Sequence, residues 1–424
     1  MPIVTAFRGL RYDRSAGDAA DLISPPYDVI GPAEAARLAA RDPHNSVRLD
    51  LPQPRPGEPS DSRYGQAAAD LAAWQAAGVL VRDPRPAVYA YEQRYRLPGV
   101  DQARTRRGFI ARLGLEPFRP GGPVRPHERT LGEVRADRLA LLRATGANLS
   151  PIIGLYRTDG VVTAEALAAV MAGPADVAAV DDLGVQHRLW VVPVDDLVRG
   201  AAAQALLAGA SAGPITIADG HHRYVTALTH HGERPEAATV MALLFDLAAT
   251  SVTTLPTHRL VRGEPAGPDL MSAAGRLFQV DPCSSAMALL AAMAAPPTRQ
   301  RLGVYSRGLP ALLIPRRAAL EPLLDAGASA VARWLDVAVL GTTLAALLGL
   351  DAAAVAAGAV TYTSDAEAAI AAVDAGEADT AFLLDATPVD AVLAVAEAGG
   401  LMPQKSTYFT PKPASGLVLD PGGA

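Results

Sequence analysis

Short runs of apolar, β-branched or aromatic residues alternate along the chain with alanine-rich stretches whose apolar positions recur at helical spacing. The runs predict strands over Val88–Tyr95, Arg107–Leu115, Leu189–Val194, Pro214–Ala218, Val240–Phe245, Leu302–Tyr305, Ala311–Ile314 and Ala381–Leu384. The periodic stretches predict helices near Gly65–Ala77, Arg138–Ala144, Ala201–Leu207, His222–His230, Asp269–Leu277, Ala286–Ala295, Ala328–Leu348, Asp365–Ala372 and Val389–Ala398. Such interleaving is the mark of a mixed α/β (α+β) chain and argues against a helical bundle or a β-sandwich. The stretch from Gly200 to Ala218 is free of charge and about as long as a membrane span, but Gln204, Gly209, Ser211, Gly213 and Pro214 interrupt it. It reads as an alanine-rich helix, a turn and a buried strand.

Two proline-rich loops punctuate this pattern, Pro52-Gln53-Pro54-Arg55-Pro56-Gly57-Glu58-Pro59 and Arg119-Pro120-Gly121-Gly122-Pro123-Val124-Arg125-Pro126. No repeat of 20–50 residues is visible, so a solenoid or propeller is not expected. At 424 residues the chain is long enough for two or three compact units. Half of its residues are hydrophobic and 19% are charged, a balance that can bury large cores. The net charge of −6 gives no electrostatic footprint for nucleic acid or an anionic membrane. Cys283, the single cysteine, excludes an internal disulfide framework and a multi-cysteine metal centre. With no basic-then-apolar segment at Met1-Pro2-Ile3-Val4-Thr5-Ala6-Phe7-Arg8, a cytoplasmic location is expected.

The densest local chemistry is Ile215-Thr216-Ile217-Ala218-Asp219-Gly220-His221-His222-Arg223-Tyr224, a buried strand running through Asp219-Gly220 into a helix. The stripe Tyr224, Ala227, Leu228 places His221, His222 and Arg223 in the first helical turn. Cations there face the positive end of the helix dipole, and a bound phosphate is one way to balance them. The other reading is structural: Asp219 caps the helix, His221 packs in the core, and His222 and Arg223 are solvated. Zinc fits poorly, because adjacent histidines lie about 100° apart on a helix and His230-His231 is not three or four residues from the first pair.

Polar groups also gather elsewhere. Ser24-Pro25-Pro26-Tyr27-Asp28-Val29-Ile30 holds Tyr27 and Asp28 on a stiff turn, and Asn45-Ser46-Val47-Arg48-Leu49-Asp50 offers an amide, a hydroxyl and a guanidinium at the start of an expected strand. Arg125-Pro126-His127-Glu128-Arg129-Thr130 places acid, base and cations in a loop. After acidic, alanine-rich sequence, Met402-Pro403-Gln404-Lys405-Ser406-Thr407-Tyr408-Phe409-Thr410-Pro411-Lys412-Pro413 brings two lysines, hydroxyls and aromatics together. Lys405-Ser406-Thr407 lacks the glycine frame of a P-loop.

These blocks, with Asp137-Arg138-Leu139, Ala147-Asn148-Leu149-Ser150-Pro151-Ile152, Leu255-Pro256-Thr257-His258-Arg259 and Leu335-Asp336-Val337, resemble the bacterial and archaeal family called domain of unknown function 1015. They occur in order along the whole chain. The Asp-Gly-His-His-Arg block is similar to the phosphate-binding strand–turn–helix of the ParB/sulfiredoxin-like superfamily, and in particular of its free-serine kinases. That resemblance implies a ParB/sulfiredoxin-like nucleotide-binding core over residues 1–246 and an additional α/β subdomain over 247–400 that the shorter serine kinases do not explain; the two late lysines, set in acidic, alanine-rich sequence, would gain most from a shared anion, so the segment 401–424 is expected to return to the active-site cleft. It implies Asp219 for Mg²⁺ or for orienting the acceptor hydroxyl, and His221, His222 and Arg223, with Gly220, for nucleotide phosphate. The expected reaction is phosphoryl transfer from ATP or ADP to a small hydroxyl compound, with free L-serine the leading acceptor. In that scheme Glu128 serves as base, Lys405, Ser406 and Thr407 add phosphate contacts, and Asp28, Asn45 and Arg48 face the acceptor. Two rivals remain: a nucleotide-binding regulator or weak NTPase without an acceptor, and a DNA-associated protein, which the acidic charge disfavours.

Overall fold

The computed structural model describes residues 1–422 apart from 56, 98, 99, 130, 131 and 264, so Pro56 of the first proline-rich loop and Thr130 of the Arg125–Thr130 block fall outside the described residues. The chain forms two compact units, one built from Met1–Pro126, Thr130–Val252 and Pro411–Ala424, the other from His127–Arg129 and Thr253–Thr410. Both are mixed α/β. The first boundary comes at Val252, six residues beyond Asp246, and residues 401–424 are shared, with the change of unit between Thr410 and Pro411.

The first unit is organised by a mixed sheet whose strands run in the order Val124–Arg125, Ile215–Asp219, Ile152–Tyr156, Thr239–Asp246, Arg104–Gly114, Ala87–Tyr95, Gln186–Pro193 and Val177–Val180. Ile152–Tyr156 pairs parallel with Thr239–Asp246 and antiparallel with Ile215–Asp219. These central strands are buried on both faces, which is why they read as continuous apolar runs and not as alternations. Phe109, Leu113, Ile152, Ile215, Ile217 and Leu244 form the core with Leu167 of helix Val161–Val170, Leu206 of helix Gly200–Ser211 and Tyr224 of helix His221–Glu233. At Gly154 the layers approach so closely that a Cβ would lie 2.8 Å from both Ile215 Cγ2 and Leu244 Cδ2. The charge-free stretch resolves into helix Gly200–Ser211 and strand Ile215–Asp219, and no helix among the described residues is long and apolar enough to cross a membrane.

The C-terminal residues are woven into this unit. Leu419 exchanges backbone hydrogen bonds with Leu10, Ser415 with Ser24 and Asp420 with Asn148, while Arg112 Nη2 meets the buried Asp420 carboxylate at 2.8 Å. This threading fixes the position of Lys412.

The second unit has a six-stranded antiparallel sheet ordered Phe278–Pro282, Leu309–Pro315, Leu302–Ser306, Thr380–Leu383, His258–Val261, Val360–Thr363, and a two-stranded ribbon pairing Thr253–Leu255 with Tyr408–Thr410. Alternation along Thr380–Leu383 feeds two cores: Phe382 packs with Phe278, Val304 and Leu340, while Ala381 and Leu383 pack with Leu289 and Ile370.

Two expected elements differ. The segment Asn45–Asp50 starts a short helix, Val47–Asp50, and not a strand, because Asn45 Oδ1 accepts from Val47 N at 3.0 Å and turns the chain. The helix expected across 328–348 is broken into Ala330–Arg333 and Asp336–Leu348, with Leu335 extended between them. There Gln300 Nε2 donates to the Trp334 carbonyl at 2.6 Å and to Asp336 Oδ1 at 3.0 Å. Burial pushes the Asp336 carboxyl up to about 6, outweighing the hydrogen bond from Gln300. A raised carboxyl pKa means the native state holds the proton more tightly than the unfolded one, so stability is full below about pH 4 and declines as pH rises to about 6. Asp336→Asn is expected to remove that decline and to stabilise the protein at neutral pH by on the order of 2 kcal/mol. Thermal unfolding of both proteins from pH 4 to 7 checks this, and parallel curves would refute it.

Candidate functional site

Strand Ile215–Asp219 delivers Asp219 through a register shift between Ile217 and Asp219, a bulge that re-aims the last side chain of the strand. Gly220 follows in the left-handed region at φ 86°, and its Cβ position is closed by Ile152 Cγ2 at 2.8 Å. Helix His221–Glu233 then begins with Gly220 as its N-cap and no side-chain cap. Asp219 therefore does not cap the helix, because its carboxylate is drawn to cations. Oδ2 accepts from Arg223 Nη2 at 2.8 Å, and Oδ1 is ion-paired with Lys412 Nζ. Burial works to raise this carboxyl, but Lys412 and Arg223, with His221 behind them, outweigh it and hold it well below the ordinary carboxylate range.

Arg223 also donates through Nη1 to Ser150 Oγ at 3.0 Å and to the Pro151 carbonyl at 2.6 Å, while its Nε is buried with no hydrogen-bond partner among the described residues. Lys412 Nζ lies 3.7 Å from Asp28 Oδ2, so one ammonium stands between two carboxylates. The lysine is itself positioned from behind: Gln93 Nε2 donates to its carbonyl at 3.0 Å, and the fully buried Arg106 donates to Gln93 Oε1 and to the Pro411 carbonyl.

Tyr27 covers the opposite side. The Arg138 guanidinium stacks 4.0 Å from its ring centroid and that of Arg223 lies 5.9 Å away. Arg138 is clamped by the Asp50 carbonyl at 2.6 Å and by Asp137 at 2.6 Å. Asp50 in turn accepts from Ser415 Oγ at 2.8 Å. A cavity of about 50 Å³ opens beside this network, lined in part by Arg138, Ser150, Arg223 and Thr226.

The structure thus gathers Asp219, Gly220, Arg223 and Asp28 in the first unit, with buried His221 and half-buried His222 in the same turn. It uses other candidates differently. Asn45 is wholly buried and spent on the backbone, donating to the Asp21 and Ile23 carbonyls at 2.6 and 3.0 Å and accepting from Val47 N. Arg48 is exposed, donates to the Ala39 carbonyl at 2.6 Å and lines a separate cavity with Gln53, Asp70 and Trp74. Glu128, Lys405, Ser406 and Thr407 belong to the second unit. Ser406 is buried there, donating to the Pro403 carbonyl at 2.5 Å, and Thr407 Oγ1 is 3.1 Å from His127 Nε2.

The balance of charge at the turn also changes the sequence argument. The guanidinium at the helix start is compensated by Asp219, so an external anion is not required to explain it. Mg²⁺ fits the turn poorly. Both Asp219 oxygens carry a cationic partner, and no group of three His, Cys, Asp or Glu side chains among the described residues is arranged to hold a metal. The positive charge at this turn comes from the chain's own side chains. Sequence reasoning missed Lys412 and Arg106 as members of the site. Lys412 was visible as one of two late lysines, yet Arg106 carries no local signal.

The model of the family described as "Protein of unknown function (DUF1015)" matches residues 4–338, a span that contains Asp28 and the Asp219 turn but ends before Lys412. No curated protein matches the sequence. Among solved structures, a free serine kinase in complex with AMP is 14% identical with a TM-score of 0.37, covering 68% of this chain and 84% of that one. A conserved hypothetical protein from Pyrococcus furiosus is 15% identical at 0.36, covering 70% and 91%. SbnI from Staphylococcus aureus with a C-terminal truncation is 10% identical at 0.35, covering 70% and 85%.

Proposed function

We propose that this chain, which belongs to the DUF1015 family, is a phosphotransferase that moves a phosphoryl group from ATP or ADP to a small hydroxyl compound, with free L-serine as the leading acceptor. The observation that carries the reading is the pairing of Arg223 and Lys412 on one carboxylate at a helix N-terminus that no side chain caps. Two fixed cations, His221 and His222, and the helix dipole then converge where negative charge develops during phosphoryl transfer. Such groups act by being positioned in advance, and the hydrogen bond that Arg223 donates to Ser150, with those that Gln93 and Arg106 donate to the Lys412 and Pro411 carbonyls, supplies that positioning.

The proton acceptor in this reading is Asp28. It is exposed on a turn stiffened by Pro25 and Pro26, and its carboxylate stands 3.7 Å from the Lys412 ammonium. The acceptor hydroxyl oxygen attacks the terminal phosphorus, the bond to the bridging oxygen breaks to leave ADP or AMP, and the hydroxyl proton passes to Asp28. Glu128, the base expected from sequence, belongs to the other unit, and the reading rests on carboxylates of the first unit alone.

The test is direct. Purified protein incubated with ATP or ADP, with and without Mg²⁺, and a panel of hydroxylated amino acids is followed by phosphorus NMR. Formation of a phosphomonoester from serine supports the reading. Nucleotide turnover that no hydroxyl compound changes would replace it with the NTPase rival.

A further inference from the structure

Three blocks far apart in sequence, His127-Glu128, Leu255–Arg259 and Met402–Phe409, meet within the second unit, and the reaction proposed above leaves them unused. Met402 N donates to the His127 carbonyl at 2.7 Å, Glu128 forms a parallel bridge with Met402, and Arg259 Nη2 donates to the Lys405 carbonyl at 2.9 Å. In this cluster Arg259 is only 5% exposed. A guanidinium has five N–H donors. Two of them are used, by the carbonyls of Thr257 and Lys405, and the plane of the group stacks 4.7 Å from the Tyr362 ring centroid.

Among the described residues Arg259 forms no ion pair, and Glu128 acts on it from beyond ion-pair distance. A buried cation without a counter-charge is costly, and native proteins pair such groups. Burial pulls the guanidinium down to about 10 against the opposing influence of Tyr362 and Glu128. Two residues earlier, Thr257 is 7% exposed and its hydroxyl is buried with no partner among the described residues. In an extended chain, residues two apart share a side. The neighbouring Lys405 is exposed and held at φ 54°, a conformation that a side chain tolerates only under local constraint. His258, between Thr257 and Arg259, accepts from Leu384 N at 3.1 Å through Nδ1, and burial keeps it neutral near about 4, so it brings no charge to balance Arg259.

We propose that Arg259 and the Thr257 hydroxyl, with the tethered Lys405 as a second cation, form a binding site for a phosphate group, either inorganic phosphate or the terminal phosphate of a phosphomonoester. Three guanidinium N–H donors, a hydroxyl and an ammonium exceed what the two oxygens of a carboxylate can satisfy, whereas a dianionic phosphate offers three or more acceptor oxygens. The site is independent of the reaction proposed for the Asp219 turn.

Thermal unfolding and calorimetry of the full chain with inorganic phosphate, glycerol phosphate and chloride as control separate the two sources. Phosphate and glycerol phosphate acting alike shows that the free ion suffices, and glycerol phosphate acting alone assigns the site to a phosphomonoester. In either case Arg259→Met is expected to raise the melting temperature of the ligand-free protein, by removing a buried charge, and to weaken binding about 10- to 100-fold. Thr257→Val, which keeps the shape, should weaken it in the same direction, and replacing an exposed guanidinium outside both sites, Arg48→Ala, should leave it unchanged. A merely structural Arg259 would give the reverse: a lower melting temperature in Arg259→Met with phosphate binding intact. That result, or binding kept in Thr257→Val, or no binding by the wild-type chain, overturns the proposal.

Discussion

Asp219→Ala is expected to lower the unfolding free energy by about 3–5 kcal/mol, the scale for breaking a buried ion pair by removing one partner. The loss is large because one carboxylate serves two buried cations, Arg223 at 2.8 Å and Lys412, whose side chains are each only 10% exposed. Lys412→Met should cost less, since Asp219 keeps Arg223. The pH dependence has a definite sign. Burial alone would raise the Asp219 carboxyl, but its cations hold it below the ordinary range, so the stabilisation is complete above the unfolded value of about 3.9 and is lost only as pH falls through the lower folded value. Urea denaturation of wild type and variant should therefore show a constant gap from pH 7 to about 5 and a narrowing only in stronger acid. A gap that closes between pH 7 and 5 would assign the effect to another group.

This dependence explains why part of the site was legible in the sequence and part was not. Strand, glycine and helix start around Asp219 are neighbours in the chain, so periodicity and turn chemistry exposed them. The expected strands Val88–Tyr95 and Val240–Phe245 likewise correspond to Ala87–Tyr95 and Thr239–Asp246, where burial on both faces leaves a continuous apolar signature. Ile152–Tyr156 escaped notice although it lies between Ile215–Asp219 and Thr239–Asp246, because it is five residues long and Gly154 sits at its centre. Gly154 is there for the close approach of Ile215 and Leu244, a fact of tertiary packing that no local pattern carries.

Lys412 is the sharper case. Of the two late lysines, Lys405 has hydroxyl neighbours that imitate a phosphate loop, while Lys412 stands between Pro411 and Pro413 with no motif around it. Its partner Asp219 is 193 residues away, and the contact is made by threading the C-terminal residues along Leu10, Ser24 and Asn148. Asn45 shows the converse error. An invitingly polar side chain in a promising block is consumed by three backbone groups, which is a common fate of buried amides.

If the first unit transfers phosphoryl groups, Asp28→Asn should lower kcat by about 10²–10⁴-fold with KM for the acceptor nearly unchanged, because an amide keeps the shape of the turn but cannot take the hydroxyl proton. Stability should change little, since Asp28 is exposed and its contact with Lys412 spans 3.7 Å, the range of a weak surface pair. That combination separates Asp28 from Asp219, whose replacement should damage stability and turnover together. Lys412→Met provides the third comparison: it should reduce kcat by removing one of the two fixed cations at the turn. Steady-state kinetics of the three variants with a common acceptor decide the matter. An Asp28→Asn enzyme with wild-type kcat would remove Asp28 as the base, and a Lys412→Met enzyme with wild-type kcat would remove this lysine from the reaction.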